Sequence, residues 1–109
     1  MTDAVTVYMT AANEAEATRL ARALVEARLA ACANILGPIR SFYWWDGKVQ
    51  DEGEIALLAK TRADLVDALT AKVKQLHSYS VPCVVAWPIV AGNPDFLDWI
   101  TQETRGTPP

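Results

Sequence analysis

The sequence predicts an α+β fold with the element order β-α-β-β-α-β, closed by a short helix. Two amphipathic stretches have helical spacing, and each follows a run rich in β-forming residues. Between them, Asp46-Gly47 joins two extended arms, a strong signal for a tight hairpin. A fourth β-rich run then returns before the chain closes. This order is the ferredoxin-like split βαβ arrangement, an antiparallel sheet with two helices on one face. The other face is left uncovered, and an uncovered apolar sheet face is an association surface.

The elements follow in order. Ala4 to Thr10 is rich in β-formers and predicts a strand. Asn13 is a good N-cap with Glu16 three residues on, a capping-box-like pair. Ala17, Leu20, Ala21, Leu24 and Val25 then recur at helical spacing, which predicts a helix to about Leu29. Cys32 to Leu36 is a second extended run. Gly37-Pro38 interrupts it and predicts a bulge or bend, after which the strand resumes at Ile39.

The return arm ends in Ile55-Ala56-Leu57-Leu58-Ala59, apolar on both faces as a central strand requires. Thr61 and Asp64 suggest a second capping pair, ahead of a stripe of Leu65, Val66, Leu69, Val73 and Leu76 ending near His77. Val81 to Val90 predicts the fourth strand, with Pro82 and Pro88 at its ends or on an edge. Asn93-Pro94 caps a short helix carrying Phe96, Leu97 and Ile100. The tail from Thr104 to Pro109 lacks apolar periodicity and is expected to fray.

The hairpin is the most heavily loaded element. Phe42, Tyr43, Trp44 and Trp45 run into the Asp46-Gly47 turn. A two-residue turn pairs Trp45 with Lys48 and Tyr43 with Gln50. Successive side chains then alternate, with Tyr43 and Trp45 on one face and Phe42 and Trp44 on the other. One small domain buries one such face; burying both calls for a partner. All four aromatics are therefore expected at a contact with a neighbouring subunit, and a head-to-tail ring of odd number suits this geometry.

At 109 residues the chain fits one domain, 1–109. It is 51% hydrophobic and 21% charged, an ordinary globular composition. The net charge of −3 argues against a nucleic-acid partner, which would want a basic stripe. No apolar run approaches a membrane span and no signal peptide is evident, so a cytoplasmic location is expected. Two cysteines, Cys32 and Cys83, make no disulfide framework and read as buried free thiols.

His77, the only histidine, has two readings: a helix-end residue bonded to a terminal carbonyl, or a metal ligand or pocket donor. Cys83 in its apolar strand reads as a small hydrophobe or a soft ligand. Cys32 has apolar neighbours and no nearby base, which favours packing over nucleophilic chemistry. The run Asp51, Glu52, Glu54 could attract cations, but reads rather as a solvated edge, or as a partner for Arg40 across an interface. No phosphate-binding glycine pattern and no Ser-His-Asp arrangement occurs, so no enzymatic activity is expected.

Several stretches together carry a family resemblance. They are Ala30-Ala31-Cys32-Ala33-Asn34-Ile35, Ser41 through Lys48, Leu76 through Pro82, and Gly92-Asn93 with Leu97-Asp98-Trp99-Ile100. In these the chain resembles the CutA family of divalent-cation tolerance proteins. The resemblance implies a ferredoxin-like fold, a homotrimer and an architecture similar to the PII signalling trimers. It also implies copper binding, by residues at the positions of Met9, His77 and Cys83. The family's His-Pro-Tyr-x-x-Pro-Glu pattern departs here, with Ser78 for the first proline and Cys83 for the glutamate. Thioether, imidazole and thiolate would favour soft Cu(I). The expectation is thus a cytoplasmic homotrimeric copper-binding tolerance protein. The alternative is a PII-like scaffold binding a small anionic ligand in inter-subunit clefts, through Arg40, Lys48 and Lys60.

Overall fold

The computed structural model describes residues 3–105. Its elements are β1 (Ala4–Ala11), α1 (Glu14–Glu26), β2 (Cys32–Trp45), β3 (Lys48–Arg62), α2 (Val66–Leu76), β4 (Val84–Pro88) and α3 (Pro94–Glu103). The strands form one antiparallel sheet in the order β2-β3-β1-β4, the split βαβ arrangement expected. The central β1 and β3 supply most of the core. Val5, Val7, Met9 and Ala11 alternate along β1 and meet Leu57 and Ala59 of β3. Ala17, Leu20 and Leu24 of α1 and Leu69 and Val73 of α2 cover them. This is the helix-covered face of the sheet.

Helix α1 begins as expected. The Glu16 N–H donates to Asn13 Oδ1 at 2.9 Å. The helix stops at Glu26 rather than near Leu29. Arg28 takes a left-handed conformation, φ 60°, and its N–H bonds to Val25 O. The Leu29 N–H bonds to Leu24 O at 2.9 Å. This is a Schellman closure with arginine where glycine is usual, so the sequence carried no stop signal. Arg28 is also tied to α3, donating to the carbonyl and carboxylate of Glu103 at 3.0 and 3.1 Å.

Three further expectations change. Thr61 does not cap a helix. It stays in β3 opposite Val5, and its hydroxyl is buried with no partner among the described residues. A tight turn at Ala63–Leu65 leads into α2 with no side-chain cap. The fourth strand is Val84–Pro88, half the expected length, because Pro82 and Pro88 lack the N–H a ladder needs. Thr104 is fully buried rather than frayed. Its hydroxyl donates to Ile100 O and accepts from Arg62 Nε at 3.0 Å, pinning α3 to the end of β3. Residues 106–109 of the expected tail lie outside the described residues. Among the described residues, no helix is long and apolar enough to cross a membrane.

Candidate functional site

The hairpin register is the expected one: Trp45 faces Lys48, and Tyr43 faces Gln50. Asp46 and Gly47 both have positive φ, 56° and 71°, as a type I′ turn requires. Between Ile35 and Gly37 the ladder slips by one residue, leaving Leu36 as the unpaired extra. Before the slip, Cys32 and Asn34 lie opposite Lys60 and Leu58 on the open face. After it, Ile39, Ser41, Tyr43 and Trp45 do. The hairpin aromatics therefore divide. Tyr43 and Trp45 turn to the open face. Phe42, Trp44 and Val49 form a ridge on the other side, 63%, 74% and 57% exposed.

Arg40 lies on that ridge side and grips Asp51 in the same hairpin, with two N–H···O bonds of 2.8 and 2.7 Å. Arg40 also stands over the Phe42 ring at 5.1 Å. The expectation that the acidic run serves Arg40 across an interface is corrected here: the pair closes within one chain. The run is also not uniformly solvated. Glu54 is 9% exposed, because the register carries it under the chain that follows His77.

That crossing segment is held by a buried node. The His77 side chain is fully enclosed. Its Nε2 lies 2.8 Å from the Thr10 carbonyl oxygen, and its Nδ1 accepts the Tyr79 N–H at 3.0 Å. A carbonyl only accepts, so the proton sits on Nε2. Beside the ring, Glu16 joins α1 to the start of the crossing segment. Its carboxylate accepts from Ala12 N at 3.0 Å and Ser78 N at 2.8 Å. Burial pushes Glu16 toward the protonated form. The bonds from Ala12 and Ser78 outweigh it and hold the carboxyl below its ordinary range.

Past this node, a cleft of about 470 Å³ opens on the uncovered sheet face. Tyr8, Tyr43, Trp45, Glu54, Tyr79 and Cys83 line it, with Thr10, Ser41, Ser80 and Val81. The Tyr79 hydroxyl donates to Glu54 at 3.1 Å. Burial first, and the Glu54 charge second, push the Tyr79 hydroxyl and the Cys83 thiol up. Sequence reasoning passed over Glu16 and Tyr8 as site residues, and placed Glu54 in a run read as a solvated edge. The signal for Glu54 was its place immediately before the buried run at Ile55, on the same face as Tyr43.

The residues expected to hold copper do not come together. Met9 is fully buried on the helix-covered face, whereas Cys83 lines the cleft beside Tyr8 and Thr10 on the opposite side of the sheet. Both His77 nitrogens are already engaged, leaving no lone pair for a metal. The Cys83 thiol is biased against the thiolate. Among the described residues, no three His, Cys, Asp or Glu are grouped to hold a metal ion. This donor set does not fit copper. The cations named for an anionic ligand are scarcely better placed. Arg40 is committed to Asp51, and Lys60 donates to Asn34 Oδ1 at 2.9 Å. Cys32 is half-buried at the start of β2, apart from the cleft.

Residues 5–103 match the family described as CutA1 divalent ion tolerance protein. The chain is 48% identical over 101 residues to "Protein CutA 1, chloroplastic" of Oryza sativa subsp. japonica, covering 93% of this chain and 57% of that protein. It is 46% identical over 96 residues to "Divalent-cation tolerance protein CutA" of Archaeoglobus fulgidus, covering 88% and 93%. The chain thus spans little more than half of the plant relative and nearly all of the archaeal one. Among solved structures, the periplasmic divalent cation tolerance protein CutA from Archaeoglobus fulgidus superposes with a TM-score of 0.90 at 43% identity, covering 94% of this chain and 99% of that one. CutA1 from Oryza sativa superposes with a TM-score of 0.91 at 47% identity, covering 94% of each chain. On the strength of the matched residues, the identities and the shared fold, the chain belongs to the CutA divalent-cation tolerance family.

Proposed function

We propose that this chain serves divalent-cation tolerance, as its relatives' names describe, as a non-enzymatic homotrimer in the cytoplasm. The observation that carries the assembly is the ridge of Phe42, Trp44 and Val49. Three large apolar side chains lie bare on one side of a projecting hairpin, and Val85 and Trp87 are exposed on the open sheet face. Monomeric proteins rarely leave such patches uncovered. The ridge and the sheet face are different surfaces, so each subunit's hairpin reaches the sheet of the next. A contact between two unlike surfaces makes a ring when its rotation closes, and a threefold rotation closes it at three subunits.

The tolerance role in this reading does not run through a Met9–His77–Cys83 copper centre, because those side chains are committed elsewhere. Light scattering on the native protein, with elemental analysis of the same sample, tests the proposal. The expected mass is three times the 11.9 kDa chain. A monomer mass would sink the assembly.

A further inference from the structure

The cleft on the open sheet face is continuous with the patch that a neighbouring hairpin covers. Tyr8, one of its walls, pairs with Val85 and stacks on Trp87, ring centroids 6.4 Å apart. Val85 and Trp87 are the bare apolar side chains of that face. We propose that Trp44 of the partner subunit fills the cleft, with its indole N–H donating to the Glu54 carboxylate. Such a seat exists only in the homotrimer proposed above. It adds a donor for Glu54, which assembly alone does not supply.

Packing calls for an occupant. A hairpin laid on Val85 and Trp87 closes the mouth of the cleft. About 470 Å³ left empty beneath it would be a void, and interface cores pack as densely as protein interiors. The covering hairpin therefore has to send in a large side chain. Phe42 and Trp44 lie two residues apart on one side of β2, about 7 Å along the strand. That spacing matches the separation of Tyr8 and Trp87, so one ring covers Trp87 while the other lies over the cleft.

Polarity decides which ring enters. Glu54 is 9% exposed, and the Tyr79 hydroxyl at 3.1 Å is its one donor among the described residues. A carboxylate offers about four acceptor positions, and burial makes unfilled ones costly. The lining residues include no lysine, arginine or histidine to fill them. On the ridge, Phe42 and Val49 bring no polar atom, whereas Trp44 brings an N–H that needs an acceptor once buried. Arg40, on the same side, is committed to Asp51. Lys48 stands opposite Trp45 and so turns away from the ridge. Each subunit thus holds what the other lacks, an acceptor in the cleft and a donor on the hairpin.

The full-length protein in its native assembly provides the test. The fluorescence of Trp44 is taken as the difference between the unsubstituted chain and Trp44→Phe. Acrylamide is expected to quench that share several-fold less in the assembly than in urea. Thermal melting at one protomer concentration then tests the bond. Trp44→Phe, which keeps an apolar ring and removes the N–H, is expected to lower the melting temperature by several degrees. Beside Glu54→Gln the same change is expected to cost clearly less, because the two groups act as a pair. A sample of trimer mass in which Trp44 is quenched as freely as in urea overturns the seat and leaves the homotrimer standing. This readout needs no Glu54 variant, so it holds if Glu54→Gln fails to fold. Equal shifts with and without Glu54 overturn the bond. A Glu54-dependent shift from Lys48→Ala, with none from Trp44→Phe, also overturns it and gives the carboxylate to lysine. A monomer mass for the unsubstituted chain overturns seat and homotrimer together.

Discussion

The Nε2 atom of His77 lies 2.8 Å from the Thr10 carbonyl oxygen, so the ring's N–H is fixed toward β1 and its lone pair toward Tyr79. A histidine held at both nitrogens organises backbone and has nothing left for a metal. Replacing it with alanine is therefore expected to leave copper(I) affinity unchanged in a competition titration. The same change orphans a buried carbonyl and an N–H, so unfolding in urea should show a loss of about 2–4 kcal/mol. A tenfold drop in copper affinity in a folded His77→Ala variant would restore the ligand role.

Glu16 makes stability depend on acid. Its carboxyl sits below its ordinary range in the folded chain, so the folded state favours the ionised form. The stabilisation is fully present above the unfolded carboxyl pKa of about 4.3 and is lost as pH falls through the lower folded value. Glu16→Gln is expected to melt earlier at pH 7 and to show a shallower decline below about pH 4.3. Melting curves for both proteins at one protomer concentration make the comparison. Parallel acid declines would count against the assignment.

Trp44 carries the assembly reading. Trp44→Asp places a charge on the exposed ridge, away from the core and the cleft. The expected outcome is dissociation to the chain mass with far-ultraviolet circular dichroism retained. Trp45→Asp, on the cleft-lining side, should disturb assembly less. Light scattering of the two variants side by side decides whether the ridge or the whole tip makes the contact.

Thr61 is the buried side chain that lacks a partner among the described residues. Thr61→Val keeps the shape and removes the unsatisfied hydroxyl. A gain of about 1 kcal/mol is expected, since an orphaned buried hydroxyl costs about 1–3 kcal/mol. A clear loss in chemical denaturation would mean that the hydroxyl has a partner.

Much of the fold was legible because local signals agreed with the global arrangement. Asn13 with Glu16, Asp46-Gly47, Gly37-Pro38 and Asn93-Pro94 each did locally what their chemistry suggests. The misreadings came where tertiary context ruled. Arg28 closes a helix in a left-handed conformation because it also reaches Glu103. Thr61 resembles a cap yet stays in a strand that the core needs.

The site was less legible, for a geometric reason. Position along the chain groups His77 with Cys83, but the sheet separates Met9 from the cleft that Cys83 lines. Glu54 and Glu16 looked like surface acids, since their burial comes from the segment that crosses above the sheet. Only the folded path of residues 77–83 brings Tyr79 to one and Ser78 to the other.

The extra residue at Leu36 sets the parity of everything beyond it. Even-numbered residues of β2 look to the open face before it, and odd-numbered ones after it. Losing that single residue while the Asp46-Gly47 turn stays in place would leave every pair as it is, with Ile35 across from Leu57 and Gly37 across from Ala56 in an unbroken ladder. Tyr43 and Trp45 would still face the cleft, and Phe42 and Trp44 would still make the ridge. What would go is the local bend and added twist that a bulge gives its strand. A one-residue deletion there would therefore re-aim the hairpin tip without changing which side chains it shows, so the extra residue governs where the arm reaches.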